Sequence, residues 1–203
     1  LSSSQSVPMV RVPWFEPGII MRMLDLGVLG IIAPMINTKE ECEKFVSYCY
    51  YPPIGQRSFG PMRAQLIHGS DYFEKANKNI LSFAMIETQQ AVDNLDEILS
   101  VPNLTGVYIG PADMSSSYGM KPKFDVKEDP VFSNIKLIAK KANAKGKIAG
   151  IHNGTTQYAK EMIDLGFKLV TISSDFRSMS THAQSVIDEM KEKTKDSNQS
   201  EAY

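Results

Sequence analysis

Six short apolar runs, each separated from the next by a segment of helical periodicity, leave this chain few ways to fold. The runs are MVRVP (Met9 to Pro13), GIIAPM (Gly30 to Met35), LSFAMI (Leu81 to Ile86), GVYIG (Gly106 to Gly110), KIAGI (Lys147 to Ile151) and LVTIS (Leu169 to Ser173). Between them lie GIIMRMLDLG, a helix opened by a Thr38 to Glu41 capping box, TQQAVDNLDEIL, DPVFSNIKLIAKKANAKG and TTQYAKEMIDLG, with a last helix from about Asp175 to Lys191. Strict β-α alternation requires parallel strands joined by right-handed crossovers, so the fold class is α/β, either an open doubly wound sheet or a closed (β/α)8 barrel. No glycine-rich dinucleotide turn follows the first run and no GxxxxGK[ST] loop occurs, which favours the barrel. Eight barrel units need about 250 residues, whereas this chain has 203 and shows six. The expected organisation is a partial barrel over residues 1–191 and a polar tail over 192–203. The stretch from Tyr51 to Asn79, with its PP and GP turns and a short amphipathic helix, is expected to be a folded excursion after the second helix.

Composition removes several function classes. A formal net charge of -1 and the absence of a basic run give no electrostatic case for nucleic acid, and no apolar run reaches the roughly 18 residues a membrane helix needs. Cys42 and Cys49 fall on a similar face of one helix, about 10 Å apart, too far for a disulfide between them. Free thiols and the lack of a secretory leader lead us to expect a cytoplasmic protein.

In a barrel, residues just after the strands face the active-site mouth. Arg11 lies in the first run, Glu87 follows the third, Asp113 follows the fourth, and His152 with Asn153 follows the fifth. Two carboxylates from neighbouring strands can share a hard divalent cation, Mg2+ or Mn2+, which offsets the cost of burying them. Equally, both can be helix caps. The turn Gly110, Pro111, Ala112 and Asp113 opens a helix whose free N–H groups can hold a substrate carboxylate, and Arg11 can stabilise an oxyanion. Lys147 and Lys168 sit at strand starts, the wrong rim for a Schiff base.

Taken together and in order, VRVPW, LDLG, PMI, YPPIGQRSFGP, IET and GVYIGPADMS resemble the class II, metal-dependent pyruvate aldolases of the HpcH/HpaI family, from about Met9 to Lys191. The resemblance implies a TIM barrel of the phosphoenolpyruvate/pyruvate type, a homo-oligomer that is commonly a hexamer, and lyase chemistry. That chemistry is reversible cleavage of a 4-hydroxy-2-oxo acid to pyruvate and an aldehyde through a metal-bound enolate. It assigns Glu87 and Asp113 as metal ligands, Arg11 to the pyruvate carbonyl and enolate oxygen, and Gly110 through Asp113 to the pyruvate carboxylate. Asp25 of LDLG matches the acid that orients the family's catalytic histidine. That histidine belongs to a segment upstream of VRVPW, so the chain is expected to be an N-terminally incomplete copy of the barrel. His68, His152 and His182 do not occupy its motif. Met85, where many relatives carry glutamine, and Ser58, where glycine is common, depart from the pattern. The alternatives are a CoA-thioester lyase of the malyl or citryl type, or a catalytically impaired barrel that binds metal and keto acid.

Other residues read more plainly. Arg57, between turn residues, is expected to make a structural pair or a subunit contact. His152, beside the helix start Asn153, Gly154 and Thr155, is expected to pack or cap more than to touch substrate. Trp14 is expected to pack at the mouth or an interface.

Overall fold

The computed structural model describes residues 5–200, with side chains described through 191. Contacts divide the chain into two units, one up to Thr171 and one from Ile172 onward. The first carries β1 (Met9–Arg11), α1 (Pro17–Asp25), β2 (Gly30–Ala33), α2 (Lys39–Cys49), α3 (Met62–His68), α4 (Tyr72–Asn79) and β3 (Leu81–Ile86). It continues with α5 (Gln89–Asp93), α6 (Leu95–Ile98), β4 (Gly106–Ile109), α7 (Pro111–Ser117), α8 (Val131–Ala144), β5 (Ile148–Asn153) and α9 (Thr156–Asp164). β6 (Leu169–Ile172) ends at the boundary. In the second unit α10 runs Asp175–Ser200, past the end expected near Lys191; residues 201–203 of the expected tail lie outside the described residues.

The strands pair in chain order from β1 to β6 and curl into a half-barrel, as the alternation requires. Registers place Ile32 beside Phe83, Met85 beside Tyr108 and Tyr108 beside Gly150. Because side chains alternate along a strand, each strand feeds two cores. Ile31, Ala33, Ala84, Ile86, Val107, Ile109, Ala149 and Ile151 face outward into the main core, with Ile20 and Leu24 of α1 and Ile135 and Ile138 of α8. Ile32, Phe83, Met85 and Tyr108 form the smaller inner core, backed by Met9, Leu81, Ile148 and Leu169. Gly150 is required there: a Cβ would lie 2.7 Å from the Tyr108 ring, which fills the interior at that level.

Local signals hold at most boundaries. Thr38 accepts from the Glu41 N–H at 3.2 Å and Glu41 accepts from the Thr38 N–H at 3.1 Å, the reciprocal pair of a capping box. The segment TQQAVDNLDEIL, expected as one helix, breaks at Asn94, whose side-chain amide donates to the Asn37 carbonyl at 2.8 Å. The excursion holds two helices rather than one, separated by Gly69 at φ 100. No helix among the described residues is long and apolar enough to cross a membrane.

Cys42 and Cys49 are free and fully buried on α2. Burial pushes the Cys42 thiol up to about 12 and raises that of Cys49 as well, so neither forms a thiolate at neutral pH. Both thiols are expected to ignore Ellman's reagent in the native protein and to react on unfolding. Fast labelling of either in the folded chain would show that α2 opens locally.

Candidate active site

Arg11 ends β1, Glu87 stands one residue beyond β3, and Asp113 lies in the first turn of α7, directly after β4. All three therefore stand at the C-terminal ends of parallel strands, Glu87 and Asp113 after the adjacent β3 and β4 and Arg11 on β1, with β2 between β1 and β3. The inward alternation Phe83, Met85, Glu87 carries the carboxylate over the inner core, where Glu87 is only 2% exposed. Its Oε1 accepts the Met35 backbone N–H at 2.8 Å. Its Oε2 is buried with no hydrogen-bond partner. Burial, reinforced by the negative charge of Asp113, pushes the Glu87 carboxyl up to about 7; the Met35 N–H and Arg11 act in the opposite sense. Gly110 makes this placement possible, since a Cβ there would lie 2.3 Å from Glu87 Oε2.

Met35 presents its N–H from a left-handed backbone conformation, φ 57, which an unbranched side chain tolerates only at a cost of order 1–3 kcal/mol. Asn37 holds that turn. Its side-chain amide donates to the Met35 carbonyl at 3.0 Å, and its amide oxygen accepts from the Thr88 hydroxyl, the residue that caps α5. Sequence reasoning noted PMI but gave Met35 and Asn37 no role, because their contribution is made by backbone and turn geometry.

Two cavities meet at this point. One, of about 380 Å³, is lined by Arg11, Ile32, Met85, Tyr108, the turn Gly110 to Asp113, Phe124 and His152. The other, of about 220 Å³, is lined by Arg11, Trp14, Met35, Met85, Glu87 and Asp113 among others. Arg11, Met85 and Asp113 belong to both. Trp14 stands at the mouth, as expected, stacked on Phe15 with ring centroids 5.3 Å apart.

The donor set fits a hard divalent cation. A buried carboxylate with one unsatisfied oxygen, beside a second and exposed carboxylate, is stabilised by positive charge between them. No cluster of three or more His, Cys, Asp or Glu suited to a metal occurs among the described residues, so these two acids would supply only part of a six-oxygen shell.

Asp25 is not part of this group. It ends α1, which runs back from the mouth, and so lies at the opposite rim, where β2 begins. There its Oδ1 accepts from Arg57 Nη2 at 2.7 Å. Arg57 is 1% exposed, donates to the Tyr72 hydroxyl at 3.0 Å, and lies 4.4 Å from the Tyr51 ring centroid, so its expected structural pairing is met within the chain. His68 shares that rim, its Nε2 2.8 Å from the Gly27 carbonyl. Lys147 donates to the Leu104 carbonyl at 2.6 Å, and Lys168 precedes β6; neither reaches the mouth.

His152 packs, as expected, with its ring edge-on to Phe124 at 4.9 Å between centroids, but it is not the cap of α9. The cap of α9 is Thr155, which accepts the Tyr158 N–H and itself donates to Asp125. His152 lies on the same strand face as Ile148 and Gly150, half-buried, and lines the larger cavity. Its Nδ1 is 2.9 Å from Thr171 Oγ1, which also meets the Tyr108 hydroxyl. Tyr108 and Thr171 were missed by the sequence reading; the alternation Gly106, Tyr108, Gly110 was the available signal that Tyr108 points inward.

Comparison with known proteins gives the family and agrees with the fold. The family model described as HpcH/HpaI aldolase/citrate lyase matches residues 1–181. The hydroxypyruvate/pyruvate aldolase of Rhizorhabdus wittichii is 42% identical over 180 residues, covering 89% of this chain and 72% of that one. A 5-keto-4-deoxy-D-glucarate aldolase of Escherichia coli is 35% identical over 193 residues, covering 94% of this chain and 75% of that one. The crystal structure of a HpcH/HpaI aldolase/citrate lyase family protein from Burkholderia cenocepacia superimposes with a TM-score of 0.83 at 26% identity, over 92% of this chain and 74% of that one. With a family match over residues 1–181, which spans the whole first unit, and relatives 42% and 35% identical, the chain belongs to the HpcH/HpaI aldolase/citrate lyase family.

Proposed function

We propose that this chain is a pyruvate-type aldolase whose mouth cleaves a 4-hydroxy-2-oxo acid reversibly to pyruvate and an aldehyde. The observation that carries the reading is the buried Glu87 carboxylate, with an unsatisfied oxygen, beside Asp113 and Arg11. Named relatives act in keeping with it: one is a hydroxypyruvate/pyruvate aldolase and another a 5-keto-4-deoxy-D-glucarate aldolase.

Glu87 and Asp113 would hold a divalent cation such as Mg2+ or Mn2+, which when bound supplies Lewis-acid polarisation of a 2-oxo acid. Arg11, always charged and shared by both cavities, stabilises the negative charge that collects on the C2 oxygen as the C3–C4 bond breaks. The first turn of α7 leaves the Ala112 and Asp113 N–H groups to receive the substrate carboxylate. Protonation at C3 then yields pyruvate. The base that takes the C4 hydroxyl proton belongs, by resemblance, to a segment that these 203 residues do not include. Asp25 lies at the opposite rim, so its proposed partnership with that histidine requires a second copy of the chain, in keeping with a homo-oligomer. A cavity of about 380 Å³ suits a small oxo acid better than a CoA thioester, which disfavours the malyl or citryl alternative.

Oxalate, which mimics the planar pyruvate enolate, tests the site without needing the base. Calorimetric titration is expected to show binding with Mn2+ and none without it; a folded chain that binds oxalate in neither condition overturns the reading. The pH dependence has a definite sign. Because the folded pKa of Glu87 is raised to about 7 from 4.5, the metal-free fold binds the extra proton and loses stability as pH rises between those values. A cation needs the ionised form, so Mn2+ affinity should rise across the same window and level off above it. An affinity flat from pH 5 to pH 8, on roughly that scale, would contradict the assignment.

A further inference from the structure

Met35 is the strained point of the mouth. Its φ of 57 lies in the left-handed region, where a residue bearing a Cβ stays only if its surroundings hold it there. The conformation is put to use at once. The Met35 N–H is donated to Glu87 Oε1 at 2.8 Å, and no other hydrogen bond reaches that carboxylate from the described residues. Pro34 has no N–H to give, so Met35 carries the first one available past the end of β2.

Asn37 holds the turn, and every polar group it has is occupied. Its backbone N–H donates to Glu41 Oε2 at 2.7 Å and its carbonyl accepts from Asn94 Nδ2 at 2.8 Å, which fixes the residue between α2 and the start of α6. Its side-chain amide donates to the Met35 carbonyl at 3.0 Å, and its amide oxygen accepts from the Thr88 hydroxyl. Chemistry settles both directions. A carbonyl only accepts, so the nitrogen of the Asn37 amide must face Met35 and the oxygen Thr88; the Thr88 hydroxyl takes the Ala91 N–H on a lone pair and keeps its proton for Asn37. Thr88 is the next residue after Glu87. The contacts therefore close a ring, from the Glu87 carboxylate through Met35, Asn37 and Thr88 back to the Glu87 backbone, which fixes the carboxylate against its own Cα.

We infer that Asn37 is a positioning residue for the cation site: by holding Met35 left-handed it keeps Glu87 Oε1 engaged and leaves Oε2 for a divalent ion. The inference rests on the cation reading above and deepens it, adding a residue that touches neither metal nor substrate. Without the clamp the turn relaxes out of the left-handed region, the N–H leaves Oε1, and only a fraction of the folded molecules keeps the carboxylate oriented. Affinity falls by that fraction.

In the test, Mn2+ is titrated calorimetrically into the wild-type chain, Asn37→Ala and the double variant Met35→Gly with Asn37→Ala, and thermal melts show that each is folded. Asn37→Ala is expected to bind Mn2+ about tenfold more weakly than the wild type. Adding Met35→Gly should restore most of that loss, because glycine takes a left-handed φ without being held. A role in the fold alone would lower the melting temperature and leave the Mn2+ affinity of folded molecules as it was, so an unchanged affinity in Asn37→Ala overturns the inference. A loss that Met35→Gly does not recover overturns it too, since the turn would then not be the route. Should Asn37→Ala fail to fold, Thr88→Val breaks the same ring from the other side, and a folded Thr88→Val that binds Mn2+ like the wild type overturns the inference. Failure of the folded wild-type chain to bind Mn2+ overturns the cation reading, and this inference with it.

Discussion

Glu87→Gln should abolish Mn2+-dependent oxalate binding and at the same time stabilise the metal-free protein at pH 8. The two effects have one cause. Glu87 is buried with an unsatisfied oxygen, and its ionisation is opposed by burial and by Asp113. A neutral amide keeps the shape and can still accept the Met35 N–H at Oε1, but it removes the charge that makes the site costly when empty and attractive to a cation. We expect oxalate affinity to fall by at least about 100-fold, two steps of about 1.4 kcal/mol. The metal-free protein should melt higher at pH 8, because the amide removes an ionisation that burial and Asp113 oppose. Calorimetry and thermal melts with and without Mn2+ read both. A variant that binds oxalate normally would remove Glu87 from the ligand set. One that loses binding and is also less stable would show that the carboxylate serves the fold.

The second large effect lies at the other end of the sheet. Arg57→Ala should destabilise the protein by about 3–5 kcal/mol, with a fall in Tm on the order of 10 °C. The guanidinium is almost wholly buried, bonded to Asp25 and the Tyr72 hydroxyl and packed against the Tyr51 ring. Its removal leaves Asp25, whose side chain is 29% exposed, without its partner, and opens a void among aromatic rings. Arg57→Lys should recover little, because an ammonium cannot serve both partners from one planar fork. Asp25→Asn, which keeps an acceptor for Nη2, should cost about 1 kcal/mol. That contrast matters for function: if Asp25→Asn remains folded, any loss of turnover in an assembled enzyme reports on the acid and not on the fold. A change of less than about 1 kcal/mol for Arg57→Ala would mean that the Asp25 pair is a surface pair in effect.

Element type and order were legible in the sequence because each buried strand had to be apolar and each helix amphipathic. LSFAMI coincides with β3, and the Thr38 capping box opens α2 where its side chains said it would. The run GIIAPM was read too long: after Ala33 the chain leaves the ladder, and Met35 turns left-handed to reach Glu87. No propensity encodes that turn, since it is held by Asn37 and the carboxylate. The break at Asn94 was hidden for a similar reason, its partner being a carbonyl far away in sequence. Of the site, strand ends alone located Arg11, Glu87 and Asp113, whereas Asp25 entered through resemblance and lies on the opposite rim. His152 packs as its setting suggested, but the helix-start residues beside it hid that the cap is Thr155 and that the ring lies on the inner face of β5.

Gly110 bears on how such a site can change over generations. With Glu87 Oε2 lying where a side chain at 110 would begin, no single replacement at 110 is tolerated while Glu87 keeps its place. A glutamine at 87 would keep the length that reaches the Met35 amide and lose only the charge. The constraint runs one way: Gly110 is held as long as Glu87 stays in place, whereas position 87 can change beside an unchanged Gly110, so a library that randomises 110 alone should return glycine.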